Sequence, residues 1–364
     1  ELMLLELYYD QGQLAQAEEA ARRLIAGSGA QETVGGLRAG ERAWQVLVSI
    51  LSEQERHAEA LDAAGEALRA YPDTPERAAL ELVAARSLFA LEEYEQAEAA
   101  FARHRQAYPH SRERASVDYQ LGVCREVLGD YAQAAAAFAR LAQHSPDDPL
   151  VPDALFRAGE NLYNDRQFAA ALQTYARVHE GYAASPFAPR ALYSAAWTLM
   201  DLEREEESIQ AMQRLVQRYP DSEYARYAQF SVGDYYYGKE RLALARAAYQ
   251  QVMALAPASP EAEKARLLLR ELEEDMASQE YQSAYAEMDR GNYERAAAGF
   301  DSVCVRFPRT EAALAALANK AVVLEKLGEA EQARAAYEQA LRAAGERPGT
   351  QQVADFVRLR LESM

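Results

Sequence analysis

The sequence has little with which to hold a metal, form a disulfide or cross a membrane. Its 364 residues include 2 cysteines and 5 histidines. Cys124 and Cys304 stand 180 positions apart, a separation that a fold of local contacts rarely closes, so two free and mostly buried thiols are expected. His57, His104, His110, His144 and His179 are scattered. None pairs at i, i+4 and no cysteine lies in a C-x-x-C, so metal ligation is not expected and each reads as a lone surface histidine. No apolar run approaches the ~20 residues of a membrane-spanning helix. No secretory leader opens the chain either, but Glu1 to Tyr9 already reads as the middle of a helix, and the segment is expected to belong to a longer protein. β-Branched residues are sparse, while alanine, leucine, glutamate, glutamine and arginine dominate; the expected class is all-α.

Positive charge is also short. Lys and Arg total 39 against 57 Asp and Glu, a net charge of −18, which excludes a nucleic-acid partner because phosphate binding needs clustered cations. Such acidity gives a solvated surface and steers basic partners toward it. Catalytic signatures are missing too. The glycine-rich stretch Gly35 to Gly40 follows no strand and is no phosphate loop. Glu205-Glu206-Glu207 reads as a solvated acidic turn, and no carboxylate is singled out beside a base. No catalytic residue, cofactor or metal site is expected, and the chain reads as a non-enzyme.

What the sequence does have is a repeat. A small residue recurs at Ala17, Ala60, Ala97, Ala134, Ala171, Ser208, Ala245, Ala296 and Ala333, with gaps of 43, five of 37, 51 and 37. Aromatics frame it, as in Tyr94-x-x-Ala97-x-x-x-Phe101 and Tyr131-x-x-Ala134-x-x-x-Phe138. Twelve residues earlier comes a second compact residue, among them Ala85, Gly122, Gly159 and Gly233; twelve later, in most units, comes a proline such as Pro72, Pro109 or Pro220. Each unit therefore reads as two closely packed helices, the second stopped by proline. Leu128-Gly129-Asp130 and Arg290-Gly291-Asn292 mark the turn between them. After the proline, Ser111, Ser222 and Thr310 stand ready to cap the next helix.

These positions resemble the tetratricopeptide repeat, with about three residues added to its usual 34. The aromatic-Pro-x-Ser/Thr joint is similar to that of bacterial envelope members, the outer-membrane assembly lipoproteins and the Tol–Pal cell-division coordinator. The resemblance implies a right-handed α-solenoid of about nine helix-turn-helix units with a C-terminal capping helix. The expected organisation is a first or partial unit over 1–26, a Gly-rich loop or hinge over 27–40, and six units over 41–257. A long helix with two units follows over 258–345, then the capping helix over 346–364. Ser259 to Met288 has no helix breaker, so the first helix of the eighth unit should run about four turns longer than its peers.

In such arrays the first helix of each unit lines a concave face, and a stripe three and four residues apart points into it. Here that stripe carries Tyr119, Phe156, Tyr193, Phe230 and Tyr281 at one position, and Tyr163, Trp197, Tyr237 and Tyr285 near it. Acids interleave, including Glu126, Asp153, Glu160, Asp201 and Asp234. The expected function is non-catalytic: an aromatic, acidic groove that holds a protein or extended peptide, one carrying basic residues. For Tyr119, Phe156, Tyr193, Phe230 and Tyr281, packing against the neighbouring unit stands as the alternative. The Lys/Asn pairs with which some family members grip a partner's C-terminal carboxylate are missing; Gln45 and Ser49, Leu82 and Arg86, and Tyr119 and Val123 stand in their places. The resemblance points to the periplasm or the outer membrane. A cytoplasmic peptide-sensing regulator and the repeat domain of a larger enzyme are the alternatives.

Overall fold

The fold begins with a turn. The computed structural model describes residues 1–27, 33–34, 37–345 and 350–364, and within them one backbone event recurs five residues before every repeated small residue: a left-handed φ. Gly12, Gly129, Gly291 and Gly328 adopt it at 70–80°, and Glu55, Glu92, Arg166, Glu203 and Glu240 at 56–62°. At Gly129 the amide donates to Glu126 O over 3.1 Å and the Asp130 amide to Arg125 O over 2.9 Å. This cap satisfies carbonyls at the helix end and reverses the chain.

The reversed helix then fits its partner by matching small to large. A methyl group on Gly159 would lie 2.5 Å from the Tyr175 ring, one on Gly122 2.7 Å from Phe138, and one on Gly233 2.5 Å from Tyr249. Each ring fills the space that the missing side chain leaves. Ser208, standing where the other units have alanine, is buried and donates to Ala196 O over 2.7 Å. Ser222 and Thr310 cap the next helix as expected, their side chains accepting from the Tyr224 and Ala313 amides, whereas Ser111 accepts from the Glu113 amide ahead of a helix that has no side-chain cap.

Two compact units result, Glu1–Ser208 and Ile209–Met364. The first holds α1 (Leu2–Asp10), α2 (Leu14–Ala26), α3 (Ala39–Glu53), α4 (His57–Ala70), α5 (Arg77–Ala90) and α6 (Tyr94–Ala107). It continues through α7 (Arg114–Val127), α8 (Tyr131–His144), α9 (Val151–Asn164), α10 (Phe168–Gly181) and α11 (Phe187–Asp201). Sequence neighbours pack side by side. Within the expected 27–40 loop, residues 28–32 and 35–36 lie outside the described ones; between them β1 (Thr33–Val34) pairs antiparallel with β2 (Leu37–Arg38), a minor departure from an all-helical chain.

The unit boundary falls inside α12 (Glu205–Arg218), whose first turn contains Glu205, Glu206 and Glu207. These acids sit at a helix N-terminus, where the dipole favours them, rather than in a turn. The second unit continues with α13 (Glu223–Gly238), α14 (Leu242–Leu255), α15 (Pro260–Asp289), α16 (Tyr293–Arg306), α17 (Glu311–Lys326), α18 (Ala330–Gly345) and α19 (Gln351–Ser363). α15 has 30 residues where α14 and α16 have 14. Its early residues Ala265, Leu269 and Leu272 pack with Tyr249 of α14. Its later residues Ala277 and Ala284 pack with Phe300 of α16 and Ala316 of α17. α19 closes the unit by burying Ala354 and Val357 among residues of α17 and α18.

Both cysteines are free, Cys124 buried and Cys304 half-buried, and burial pushes the Cys124 thiol up to about 12 and the Cys304 thiol up to about 11. One histidine departs from expectation. His104 is not on the surface but 2% exposed, its Nε2 3.1 Å from Ala78 O and its ring tilted over Tyr108.

Candidate partner-binding face

The expected stripe comes from the first helix of each pair, and what covers each side chain depends on the next first helix. In the first unit Tyr119 leaves α7 half-buried, edge-on to Phe138, and donates to Asp153 Oδ2 of α9 over 2.5 Å. Burial, with that carboxylate beside it, pushes the Tyr119 hydroxyl up to about 12. Phe156, the equivalent residue of α9, is only 3% exposed. Phe187 stacks on it at 5.9 Å, Tyr175 lies 6.1 Å away, and the Arg190 guanidinium covers it at 4.4 Å. Phe156 thus belongs to the core. Tyr193 of α11 is half-buried and meets Trp197 edge-on at 6.2 Å.

Trp197 is the open member of the stripe in this unit, 42% exposed. Tyr163 is half-buried, donates to Asp201 Oδ2 over 2.5 Å and sits 5.4 Å from the Phe168 ring. Tyr163, Asn164, Arg166, Phe168 and Asp201 line a cleft of about 410 Å³.

In the second unit Phe230 packs 5.7 Å from Tyr249. Asp234 accepts from the Tyr249 hydroxyl at 2.7 Å, and desolvation holds its carboxyl above the usual aspartate range. Tyr281 contacts Phe300 and Tyr285, and its hydroxyl accepts from Asn319 Nδ2 of α17 at 2.6 Å. Tyr237 and Tyr285 are 42% and 36% exposed.

The acids of the stripe are engaged inside the fold. Glu160 accepts from the Tyr175 hydroxyl at 2.5 Å, as Asp234 does from Tyr249. Glu126 accepts from Arg157 Nη1 at 3.1 Å and from Asn161 Nδ2 at 2.9 Å, and Arg157 Nε also lies 3.4 Å from Asp153. The Glu126 bonds to Arg157 and Asn161 stitch α7 to α9.

Sequence reasoning passed over Arg157, Asn161, Phe187 and Arg190. Together with Glu126, Asp153, Phe156, Glu160 and Asn164 they line a second cleft, about 310 Å³, between α7, α9 and α11. Arg190 falls where the preceding first helix has Asp153, thirty-seven residues earlier, so aligning the repeats exposes a charge reversal that could have marked it. Among the described residues, no group of His, Cys, Asp and Glu is placed to hold a metal ion, and no helix is long and apolar enough to cross a membrane.

Comparison with known proteins agrees with this architecture. The sequence pattern of a family described as "Outer membrane lipoprotein" matches residues 148–339, more than half of the chain. A tetratricopeptide-repeat pattern matches residues 46–112 and 82–149. No curated protein sequence gives a significant match. Among solved structures, the C-terminal part of a TPR repeat-containing protein from Cytophaga hutchinsonii aligns with a TM-score of 0.53 at 14% identity, covering 73% of this chain and 99% of that one. YrrB, described as a TPR protein with an unusual peptide-binding site, aligns at 0.44 and 22% identity, covering 58% and 98%. MamA from Desulfovibrio magneticus RS-1 aligns at 0.40 and 22%, covering 51% and 98%. The first of these shares the helical-repeat fold; the likeness of the other two is partial.

Proposed function

Since this chain belongs to the outer membrane lipoprotein family of tetratricopeptide-repeat proteins, we propose that it is a non-catalytic adaptor of a bacterial cell-envelope assembly, holding an extended segment of a partner protein against its first helices. The observation that carries the reading is the exposure of Trp197, whose indole is left open to solvent on its first helix. Repeat stacking needs the small residues and the buried rings, but it does not need a half-exposed indole at this position. Aromatic side chains that keep large apolar area in solvent, with a polar rim such as Asp201 and Asn164, are typical anchors for a partner. The chain's net charge of −18 favours a partner that is basic overall and speeds its approach.

The test is capture of the partner from the native organism by wild type and by Trp197→Ala/Tyr163→Ala. The double variant should keep its helicity and melting temperature and lose at least tenfold in capture. If capture falls only in step with the melting temperature, these side chains are core and the reading is wrong. Fractionation of the native cells tests the envelope half of the proposal: recovery in the cytosol contradicts it.

A further inference from the structure

We propose that α11 and α15 each carry a docking ladder for one arginine of an extended, basic partner segment. The guanidinium lies over the exposed aromatic, Trp197 or Tyr285, and pairs with the aspartate one turn further on, Asp201 or Asp289. The inference rests on the scaffold reading above and names the side chain that this face selects.

The first observation is a pattern that occurs once in each compact unit. Tyr193, Trp197 and Asp201 follow one another at four-residue steps on α11, and Tyr281, Tyr285 and Asp289 do so on α15. The other first helices break it: Tyr119 is followed by Val123 and Val127, Phe156 by Glu160 and Asn164, and Phe230 by Asp234 and Gly238. In both ladders a half-buried tyrosine holds the next ring, Tyr193 against Trp197 at 6.2 Å and Tyr281 against Tyr285 at 6.0 Å. That second ring stays in solvent, 42% exposed for Trp197 and 36% for Tyr285. Side chains four residues apart on a helix are neighbours, about 5–6 Å between Cβ atoms, so one cation reaches both the ring and the carboxylate.

The second is charge without a counterpart. Asp201 and Asp289 are exposed and are the last residues of their helices, the end at which the dipole disfavours an anion. Among the described residues neither has an ion-pair partner. Arg204 is bound to Glu207 through two bonds of 2.7 Å, and Arg290 to Glu287 over 2.5 Å. Arg166 lines the cleft beside Asp201 but makes no ion pair with it. The Tyr163 hydroxyl occupies Oδ2 of Asp201 and leaves Oδ1 for another donor. A guanidinium stacks on an aromatic face while its fork meets a carboxylate, whereas the compact, strongly hydrated ammonium of lysine does both less well. The arginine stem also covers apolar ring surface. The same sign of preference follows from the net charge of −18, but the ladders place it at two defined points.

The probe is an acetylated, amidated heptapeptide of alanines with arginine at its centre, compared with a version centred on citrulline, its neutral isostere. Each is titrated to millimolar concentration into the full chain while the backbone amides of Trp197, Asp201, Tyr285 and Asp289 are followed by NMR. The arginine peptide should move both pairs of signals and bind about fivefold tighter than the citrulline one, the scale of one exposed cation–π contact with one surface ion pair. Asp201→Asn keeps an acceptor for the Tyr163 hydroxyl and should abolish the arginine preference at Trp197 alone; Asp289→Asn should abolish it at Tyr285 alone. Equal binding of the two peptides, a preference unchanged in both variants, or shifts no larger than those at the exposed acids Glu205 and Glu206 overturns the ladders. Any of these with Trp197-dependent capture intact would leave the scaffold reading standing.

Discussion

Gly129 and Gly159 both resist substitution by alanine, for different reasons. Gly129 has φ of 79° and nothing within 4 Å of an added Cβ, so Gly129→Ala costs only the left-handed backbone, about 1 kcal/mol. Gly159→Ala places a methyl group 2.5 Å from the Tyr175 ring and should cost more, roughly 1–3 kcal/mol of overpacking. Denaturant titration of the two variants checks the ranking, and a larger loss at Gly129 contradicts it. His104 gives a pH dependence. Desolvation lowers its titration below the ordinary histidine range, against a smaller raising effect from Ala78 O. Between that lowered value and the unfolded value of about 6.5, the unfolded chain binds the extra proton, so stability drains away as pH falls through this window. The stability difference between wild type and His104→Gln should therefore shrink from pH 7 to pH 5, both values order-of-magnitude bounds around that window; a constant difference would show that His104 is not buried neutral. The glycines were legible because the 37-residue spacing aligns them. The burial of His104 was not, because it is made by a carbonyl of α5, and no local pattern announces it. The same holds for Phe156, which Phe187 and Arg190 of α11 cover.

At the scale of elements, α15 is the exception that the spacing announced. Ala245 and Ala296 lie 51 residues apart instead of 37. The fourteen extra residues make about four helical turns, so the second half of α15 presents its apolar residues on nearly the same side as the first. One helix therefore packs with α14 early and with α16 and α17 late. Glu274, near its middle, accepts from the Glu311 amide at 2.8 Å and the Ala312 amide at 3.0 Å, capping α17 from outside. Glu274→Ala should destabilise the second unit by about 1 kcal/mol, the range of a lost N-terminal cap, and should speed hydrogen exchange at those two amides. Unchanged exchange there would mean Thr310, which also caps α17, suffices alone. The length of α15 could be read from the missing breaker. The cap could not, since it joins positions 37 apart with no signature in either. Turns were half legible: glycine marks Gly129 and Gly291, whereas Glu55, Glu92 and Arg166 adopt the same left-handed φ only because the flanking helices impose it.

At the scale of the molecule, repetition and charge carry the functional reading. Equal spacing made the helical-repeat fold plain before any coordinates, because each step repeats one packing solution. The binding face was less plain, since a stripe of aromatics serves stacking and capture alike, and only neighbouring helices decide which. A net charge of −18 adds a long-range pull on a basic partner, and capture should weaken as ionic strength rises from low salt toward physiological, where screening acts over about 8 Å. Capture insensitive to salt would contradict that charge preference. The central claim, that the first-helix face holds the partner, is tested most directly by a photo-crosslinking amino acid placed in living cells at Trp197 and, as control, at the exposed Gln173 of α10. A defined partner band crosslinked from 197 and lost from 173 is the predicted result. The same band from both sites, or from 173 alone, would contradict the account.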